Sequence, residues 1–247
     1  MKLIFSRFGG KKRKAKEIIS YFPEHKIYVE PFLGSGAIFI TKPKSEINIL
    51  NDLDPSIYNV FSNISQYGDD FDKKIWDWTP DKEKWKNIRK NLPINQYGVD
   101  SLYESLYHLR NSWSGLGTSF TPNRFKTNNY TVKICDYQEL MKDTIVFQKD
   151  YKEVIEGCDD PDAFFYLDPP YEVALKKNYY EYQTGFSLME MRDLLRQVKG
   201  KFLLSLDITP YITELFCEFN METIEFKYSC EPKSNWKSKT EYLIKNY

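Results

Sequence analysis

Short apolar runs alternate with helical patterns along most of this chain of 247 residues. Continuous apolar runs between turn residues are typical of buried parallel strands. They predict strands at 27–30, 47–51, 144–148, 163–167, 201–206, 223–228 and 240–245. Apolar residues at helical spacing predict helices at 14–21, 55–64, 81–91, 99–110 and 187–198, with shorter helices after Gly36, Asp150 and Thr209. The alternation indicates an α/β protein with helices on both faces of its sheet.

Residues 68–132 interrupt this alternation. They contain two helical patterns, four of the five tryptophans and a long polar loop, but no apolar run of the strand type. We therefore predict an inserted, mostly helical subdomain at 68–132 within a sheet-bearing domain formed by 1–67 and 133–247. Most of its tryptophans are expected to pack a small core of their own.

The strand predicted at 163–167 is followed by Asp168-Pro169-Pro170-Tyr171. Two prolines cannot continue a strand or a helix, so they form a stiff loop at the carboxyl end of the strand, where open α/β sheets place their chemistry. An exocyclic amine becomes nucleophilic when two acceptors take hydrogen bonds from its N–H groups. Asp168 and a carbonyl fixed by the prolines supply them, while Tyr171 offers a stacking face. The alternative is a plain turn with a helix-capping Asp.

A glycine turn follows the first predicted strand, with Gly34 and Gly36 allowing close approach of a ligand to the backbone. Asp52 ends the next strand, 18 positions after Gly34, near the spacing of an acid that binds ribose hydroxyls. The turn lacks a full G-x-G-x-x-G pattern, which favours a ligand with ribose but no pyrophosphate, such as S-adenosylmethionine. An ordinary strand-to-helix turn is equally compatible with these residues.

Other candidates lie along the chain. Gly9-Gly10 precedes a helix start at which Lys11 can join an anion site, although a solvated basic helix start fits as well. Asp150 and Tyr151 follow a strand and can frame an adenine, or Asp150 can simply cap the next helix. Basic, amide and aromatic side chains in three loops suit phosphate and base contacts, or are merely solvated. The candidate DNA contacts in these loops are Asn111, Arg124, Lys126, Lys177 and Lys237.

Charge balance, cysteine and histidine content, and the lack of long apolar segments narrow the possible classes of function. The 35 basic residues balance 35 acidic residues, so net charge alone does not indicate a nucleic-acid binder. Four scattered cysteines indicate reduced thiols in a cytoplasmic protein, and the presence of only two histidines argues against a His-based metal site or catalytic triad. The chain shows no signal peptide and no membrane-spanning run.

With these motifs in place, the chain resembles the Dam-type (D12 class, α-group) DNA adenine-N6 methyltransferases of bacteria and their phages. The likeness rests on Val29 to Gly36 as the cofactor motif, Asp168 to Tyr171 as the catalytic motif, Gly9-Gly10-Lys11 as an N-terminal clamp, and Lys239 to Leu243 as the last strand. The motifs also follow the family's order, with the insertion between the cofactor and catalytic motifs. Two departures are Arg7, where the family often has an aromatic residue, and a recognition loop with fewer basic residues.

The resemblance implies a Rossmann-like methyltransferase sheet in which 68–132 is the target-recognition subdomain. It implies S-adenosyl-L-methionine as cofactor and double-stranded DNA as partner, with no metal and no membrane, in a monomer or weak dimer on DNA. The implied catalytic residues are Asp168, Pro169, Pro170 and Tyr171. The implied cofactor contacts are Arg7, Phe8, Lys11, Glu30, Phe32, Gly34, Gly36, Asp52, Asp150, Tyr151 and Asp168.

Three other functions compete with DNA adenine methylation. RNA adenine-N6 or DNA cytosine-N4 methylation would use the same fold, and Asp at 168 favours adenine over other amines and amides. Methylation of a protein glutamine would call for Asn at 168. A non-catalytic nucleic-acid-binding module on this fold would not be expected to keep both Asp168 and Tyr171.

Overall fold

The predicted strands form one mixed sheet. The computed structural model describes residues 1–92, 97–122, 132–171, 185–227 and 238–247. Within these ranges the strands are β1 (Ile27–Glu30), β2 (Ile47–Asn51), β3 (Thr144–Phe147), β4 (Ala163–Leu167), β5 (Lys201–Asp207), β6 (Asn220–Lys227) and β7 (Ser238–Lys245). Their order across the sheet is β3-β2-β1-β4-β5-β7-β6.

Six of these strands run in one direction, and β7 runs antiparallel to them between β5 and β6. The chain proceeds from β1 toward β2 and β3 on one side, then returns to place β4 against the other side of β1, with Val29 opposite Phe165. The strand order therefore reverses between β1 and β4. In open α/β sheets this is the crevice in which ligands bind.

Side chains alternate between the two faces of the sheet, as the period of a strand requires. Phe164 and Tyr166 of β4 join one buried cluster, while Phe165 and Leu167 join the other. Both clusters are covered by helices, which explains why the strands are apolar on both faces. This confirms the α/β class with helices on both faces.

The helices in the described ranges match most predictions to within a few residues. They are α1 (Ala15–Ile19), α2 (Ala37–Thr41), α3 (Pro55–Lys73), α4 (Lys82–Asn91), α5 (Val99–Arg110), α6 (Gln138–Met141), α7 (Tyr151–Gly157), α8 (Leu188–Leu195) and α9 (Pro210–Leu215). Asp54, Asp81, Asp150, Ser187 and Thr209 cap five of these helices with their side chains.

Helix α3 is longer than predicted and ends at Lys73 instead of near residue 64. Its buried stripe continues from Ile64 through Gly68 to Phe71, because Gly68 lets the side chain of Gln138 pack against the helix. The boundary predicted at 67/68 consequently falls inside a continuous helix.

The region predicted as an insertion packs directly on α3. Trp78 and Trp85 are buried in the same cluster as Phe61 of α3 and Tyr28 of β1, rather than in a small core of their own. Trp113 differs from them, because 39% of it is exposed. Helices α4 and α5 thus extend one face of the sheet and share its core.

Candidate active site

A pocket opens at the carboxyl ends of β1 and β4, where the strand order reverses. It has a volume of about 710 Å³, part of it open to solvent. Its lining residues are Arg7, Phe8, Gly9, Gly10, Lys11, Glu30, Phe32, Leu33, Gly34, Ser35, Ala37, Ile38, Asp52, Tyr166, Asp168, Pro169, Pro170 and Tyr171. The structure therefore brings most of the sequence candidates together in one place.

The glycine turn between β1 and α2 forms the floor of the pocket. Gly34 and Gly36 both have positive φ, at 52° and 66°, which side chains other than glycine rarely adopt. A Cβ atom on Gly36 would lie 2.7 Å from Cζ of Phe61. The glycine at 36 is thus required by both the backbone and its neighbour on α3.

Asp52 closes the turn from the end of β2. Its Oδ2 accepts a hydrogen bond from the Gly34 amide at 2.8 Å, and its Oδ1 accepts one from the Asp54 amide at 3.0 Å. Burial raises the pKa of Asp52 to about 6 against the attraction of Arg7, and Asp54 adds to the rise. Each carboxylate oxygen keeps a second acceptor position for a ligand.

The N-terminal segment forms one wall and is attached to the region after α5. Arg7 Nη1 donates to Asp54 Oδ2 at 2.9 Å and to the carbonyl of Gly115 at 3.2 Å. The ring of Phe8 stacks on Trp113 with centroids 5.7 Å apart, and its amide donates to the Ser114 carbonyl at 2.8 Å. Both Arg7 and Phe8 face the pocket, so each can contact a ligand there.

Asp168 takes part in a largely buried charge cluster. Lys11 Nζ lies 2.9 Å from Oδ1 of Asp168 and 3.4 Å from Oε2 of Glu241. Lys11 also donates to the hydroxyl of Tyr171, and that hydroxyl donates to Oε2 of Glu241 at 2.8 Å. The Asp168 side chain remains 21% exposed, whereas those of Lys11 and Glu241 are 3% and 0% exposed. Asp168 is therefore the most exposed of the three charged members of the cluster.

The charges in this cluster do not balance. With both carboxylates ionised, one ammonium faces two negative charges. Burial raises the pKa of Asp168 against the attraction of Lys11, and Glu241 adds to the rise. Burial lowers the pKa of Lys11, but Asp168 and Glu241 outweigh it and leave that pKa above its ordinary value. The excess of negative charge favours a cation in the pocket.

Glu30 supplies another buried carboxyl at the end of β1. It is 2% exposed, and its Oε2 accepts a hydrogen bond from the hydroxyl of Tyr28 at 2.7 Å. Burial raises its pKa to about 8, opposed mainly by this hydrogen bond. Glu30 is accordingly protonated for much of the neutral pH range, while it lines the pocket.

Comparison with known proteins decides the family. Residues 8–230 match the family model described as D12 class N6 adenine-specific DNA methyltransferase. The chain belongs to this family. Membership of this family, together with the names of its relatives, identifies the protein as an S-adenosylmethionine-dependent DNA adenine methyltransferase.

Three relatives show that the likeness extends along the whole chain. The type II methyltransferase M.CviBI of Paramecium bursaria Chlorella virus NC1A is 26% identical over 100% of both chains. The type II methyltransferase M1.LlaDCHI of Lactococcus lactis subsp. cremoris is 25% identical over 98% of this chain and 95% of its own. The DNA adenine methylase of Escherichia coli (strain K12) is 21% identical over 97% and 92%.

Two residues expected to contact the cofactor, Asp150 and Tyr151, are not among the residues that line the pocket. Asp150 caps α7 by accepting from the Lys152 amide at 2.9 Å. Tyr151 is buried at 4% exposure, and its ring packs against Phe32, 5.4 Å away, and Phe186. Tyr151 thus supports Phe32, which does line the pocket. Capping of α7 was the alternative that the sequence left open for Asp150.

Of the five residues predicted to contact DNA, only Asn111 lies among the described residues. Asn111 is 2% exposed and donates to the carbonyl of Tyr107 at 3.1 Å, so its burial argues against the direct DNA contact expected for it. Four others lie outside the described residues: Arg124, Lys126, Lys177 and Lys237.

Sequence reasoning did not identify Glu241 or Ser205 as site residues. Both are fully buried, and Ser205 Oγ lies 3.2 Å from Oε2 of Glu241. The one available signal was a charged residue at an inward position of a strand, two residues before the buried Leu243.

In the part of the chain that the structure describes, no helix combines the length and hydrophobicity needed to cross a membrane. The same residues include no group of three or more His, Cys, Asp or Glu side chains placed to hold a metal ion.

Proposed function

We propose that this D12 methyltransferase transfers the methyl group of S-adenosylmethionine to N6 of an adenine in double-stranded DNA, at specific sites and with the base turned out of the duplex. The observation that supports this most directly is the placement of Asp168. Asp168 directly follows the last residue of β4, at the point where the strand order reverses. Its carboxylate is partly exposed in the pocket, beside the Pro-Pro loop and the glycine turn.

The pocket fits the cofactor on several counts. Asp52 has acceptor positions for ribose hydroxyls, and the turn at Gly34 and Gly36 allows close contact with the backbone. Arg7, Phe8, Glu30 and Phe32 line the same space. When bound, the cofactor supplies an electrophilic methyl group on a positively charged sulfur, which the negatively charged cluster around Asp168 would favour.

Asp168 would accept a hydrogen bond from the target amine. The amino nitrogen of adenine is a poor nucleophile, because its lone pair is delocalised into the ring. A carboxylate offers about four acceptor positions, so Asp168 can bind the amine while Lys11 stays at 2.9 Å. A second acceptor, the carbonyl of Pro169, would turn the lone pair out of the ring plane. Catalysis then consists of positioning and electrostatic stabilisation.

Tyr171 would stack on the adenine ring. Its hydroxyl is held by Glu241, and Lys11 Nζ lies 4.7 Å from the centroid of its ring. A base stacked in a duplex cannot enter such a recessed pocket, so it must be turned out of the helix first.

The decisive experiment is methyl transfer to defined nucleic acids. The purified protein would be incubated with tritiated S-adenosylmethionine and with duplex DNA, single-stranded DNA or RNA, and the digested nucleosides would be separated. Label in N6-methyldeoxyadenosine from duplex DNA supports the proposal. Label found only in RNA, or only in N4-methyldeoxycytidine, would show that the enzyme acts on a different substrate. Cofactor binding without any methyl transfer would indicate a non-catalytic binding module.

Arg124 is proposed to read the target sequence, with Lys126, Lys177 and Lys237 as further DNA contacts. Arg124→Ala is expected to weaken discrimination between target sequences more than overall affinity. Titrations against duplexes that differ by one base pair measure this difference. A uniform loss of affinity across all duplexes would instead assign Arg124 to a phosphate.

A further inference from the structure

Glu241 does not line the pocket, yet it contacts two pocket residues that the sequence singled out, Lys11 and Tyr171. It sits on β7, beside β5, and is fully buried. Its Oε2 accepts from Tyr171, faces Lys11 at 3.4 Å and lies 3.2 Å from Ser205 Oγ. The carboxylate of Glu241 is thus linked to the N-terminal clamp through Lys11, to the catalytic motif through Tyr171, and to β5 through Ser205.

Stability alone does not account for a carboxylate at this position. Removing a carboxylate from water costs several kcal/mol or so, and a well-packed apolar residue of similar volume is often equally stabilising or more so. The charge of Glu241 is therefore better explained by a role in the pocket than by a contribution to the stability of the core.

Glu241 also determines how Asp168 can act. Lys11 contacts both carboxylates, so its ammonium is shared between them. Without Glu241, the full charge of Lys11 would turn to Asp168, which would become a weaker acceptor for another donor. The Tyr171 hydroxyl would also lose its 2.8 Å acceptor, and the ring would be less firmly oriented.

We infer that Glu241 is a positioning residue for methyl transfer: it holds the Tyr171 ring by its hydroxyl and draws Lys11 away from Asp168, so that Asp168 can accept from the target amine. This inference rests on the proposed methylation of adenine. Glu241 itself does not touch the substrate and acts through Tyr171 and Lys11.

The test compares Glu241→Gln with Glu222→Gln in steady-state methylation of duplex DNA. Gln at 241 keeps an acceptor for Tyr171 but removes the charge. The control, Glu222, lies on neighbouring β6 and is an exposed partner of Lys245, 2.6 Å away. For Glu241→Gln, kcat should fall on the order of 10- to 100-fold. KM for cofactor and for DNA should stay within about threefold, and Glu222→Gln should match the wild type.

The pH profile separates positioning from a purely structural role. Glu241 is one of the causes that raise the pKa of Asp168, after burial. Removing its charge lowers that pKa, so the acid limb of the kcat profile should move to lower pH in Glu241→Gln. A fall in kcat without this movement would overturn the inference, as would wild-type kcat.

A second variant covers the case in which Glu241→Gln fails to fold. Tyr171→Phe keeps the ring and removes the hydroxyl, which donates to Glu241 at 2.8 Å and also lies 3.3 Å from Oδ1 of Asp168, so its kcat should fall with little change in KM. Unchanged kcat in Tyr171→Phe would overturn the inference. Inactivity of the wild type on adenine would reject the proposed function and this inference together, whereas an active wild type with unaffected variants rejects this inference alone.

Discussion

The ammonium of Lys11 lies 2.9 Å from the carboxylate of Asp168, and the two residues are 157 positions apart in the chain. The pair joins the N-terminal segment to the end of β4 across the strand-order reversal. Because Lys11 is almost fully buried, the contact is far less screened by solvent and salt than a surface ion pair.

Lys11→Met should destabilise the protein strongly and in a pH-dependent manner. It leaves Asp168 and Glu241 buried without their common cation, which typically costs about 3–5 kcal/mol. The pKa of Asp168, already raised by burial, then rises further because the attraction of Lys11 is gone. The native state holds a proton that the unfolded state releases, so stability falls as pH rises from 5 to 8. Urea denaturation at both pH values measures this loss. Lys26→Met, which breaks an exposed pair with Asp162, should change the stability little at either pH.

Asp168→Ala should abolish methyl transfer and leave the fold intact. The variant removes the proposed acceptor for the target amine, while Lys11 keeps Glu241 as its partner at 3.4 Å. Transfer of tritiated methyl groups and the circular dichroism spectrum measure the two effects. Asp162→Ala changes an exposed Asp just before β4 and should keep full activity. Near-normal turnover by Asp168→Ala would reject the assignment of this residue.

Glu30→Gln should be more stable than the wild type at alkaline pH. The native pKa of Glu30 is about 8, above its ordinary value of 4.5. Between these values the native state retains a proton that the unfolded state has lost, so this group lowers stability as pH rises through that window. Gln has no such proton and still accepts from Tyr28. The stability difference should grow by on the order of 1 kcal/mol per pH unit between pH 5 and 8, as followed by Tm. A constant difference across this range would contradict the prediction.

Gly36→Ala should lose both stability and cofactor affinity. The methyl group would lie 2.7 Å from Phe61 at a φ of 66°, so strain and overpacking together are expected to cost about 2–4 kcal/mol. Gly157→Ala is the matched control, because no atom lies within 4 Å of its added Cβ. Thermal unfolding and equilibrium binding of S-adenosylmethionine distinguish the two variants, and equal behaviour would show that the turn tolerates a side chain.

Trp113→Ala should weaken cofactor binding through Phe8. The stacked rings are 5.7 Å apart, and such a pair contributes about 0.5–1.5 kcal/mol beyond its buried area. The dissociation constant for S-adenosylmethionine should therefore rise about 2- to 12-fold. Tyr211→Ala, at an exposed position on α9, serves as the control. An unchanged constant would mean that Phe8 holds its place without the indole.

Local pattern was sufficient where one segment alone determines the structure. Strands β2 and β4 begin and end at the residues predicted, because each apolar run is followed at once by an Asp that leaves the sheet. The pocket motifs were likewise contiguous in sequence. The glycine turn, Asp52 and the segment from Asp168 to Tyr171 all line one pocket, as a parallel sheet requires of consecutive strand ends.

Pattern failed where distant segments determine the structure. The position of β7 between β5 and β6 brings Glu241 to Tyr171, and no local feature of either segment encodes that pairing order. The length of α3 depends on Gln138 packing at Gly68, a contact between residues 70 positions apart. Asn111 resembled a loop residue available to DNA, but the packing of α5 buries it.

The close fit at Gly115 limits how the region predicted to recognise the target could be exchanged between relatives. A Cβ atom there would lie 2.1 Å from the carbonyl oxygen of Ser6, and Gly115 has a φ of 70°. Its own carbonyl also binds Arg7. A chimaera that imports the region between α3 and α6 from another enzyme would thus need a glycine at this point and a compatible stretch at 6–8. Grafting this region is therefore an engineering problem that involves two segments of the chain.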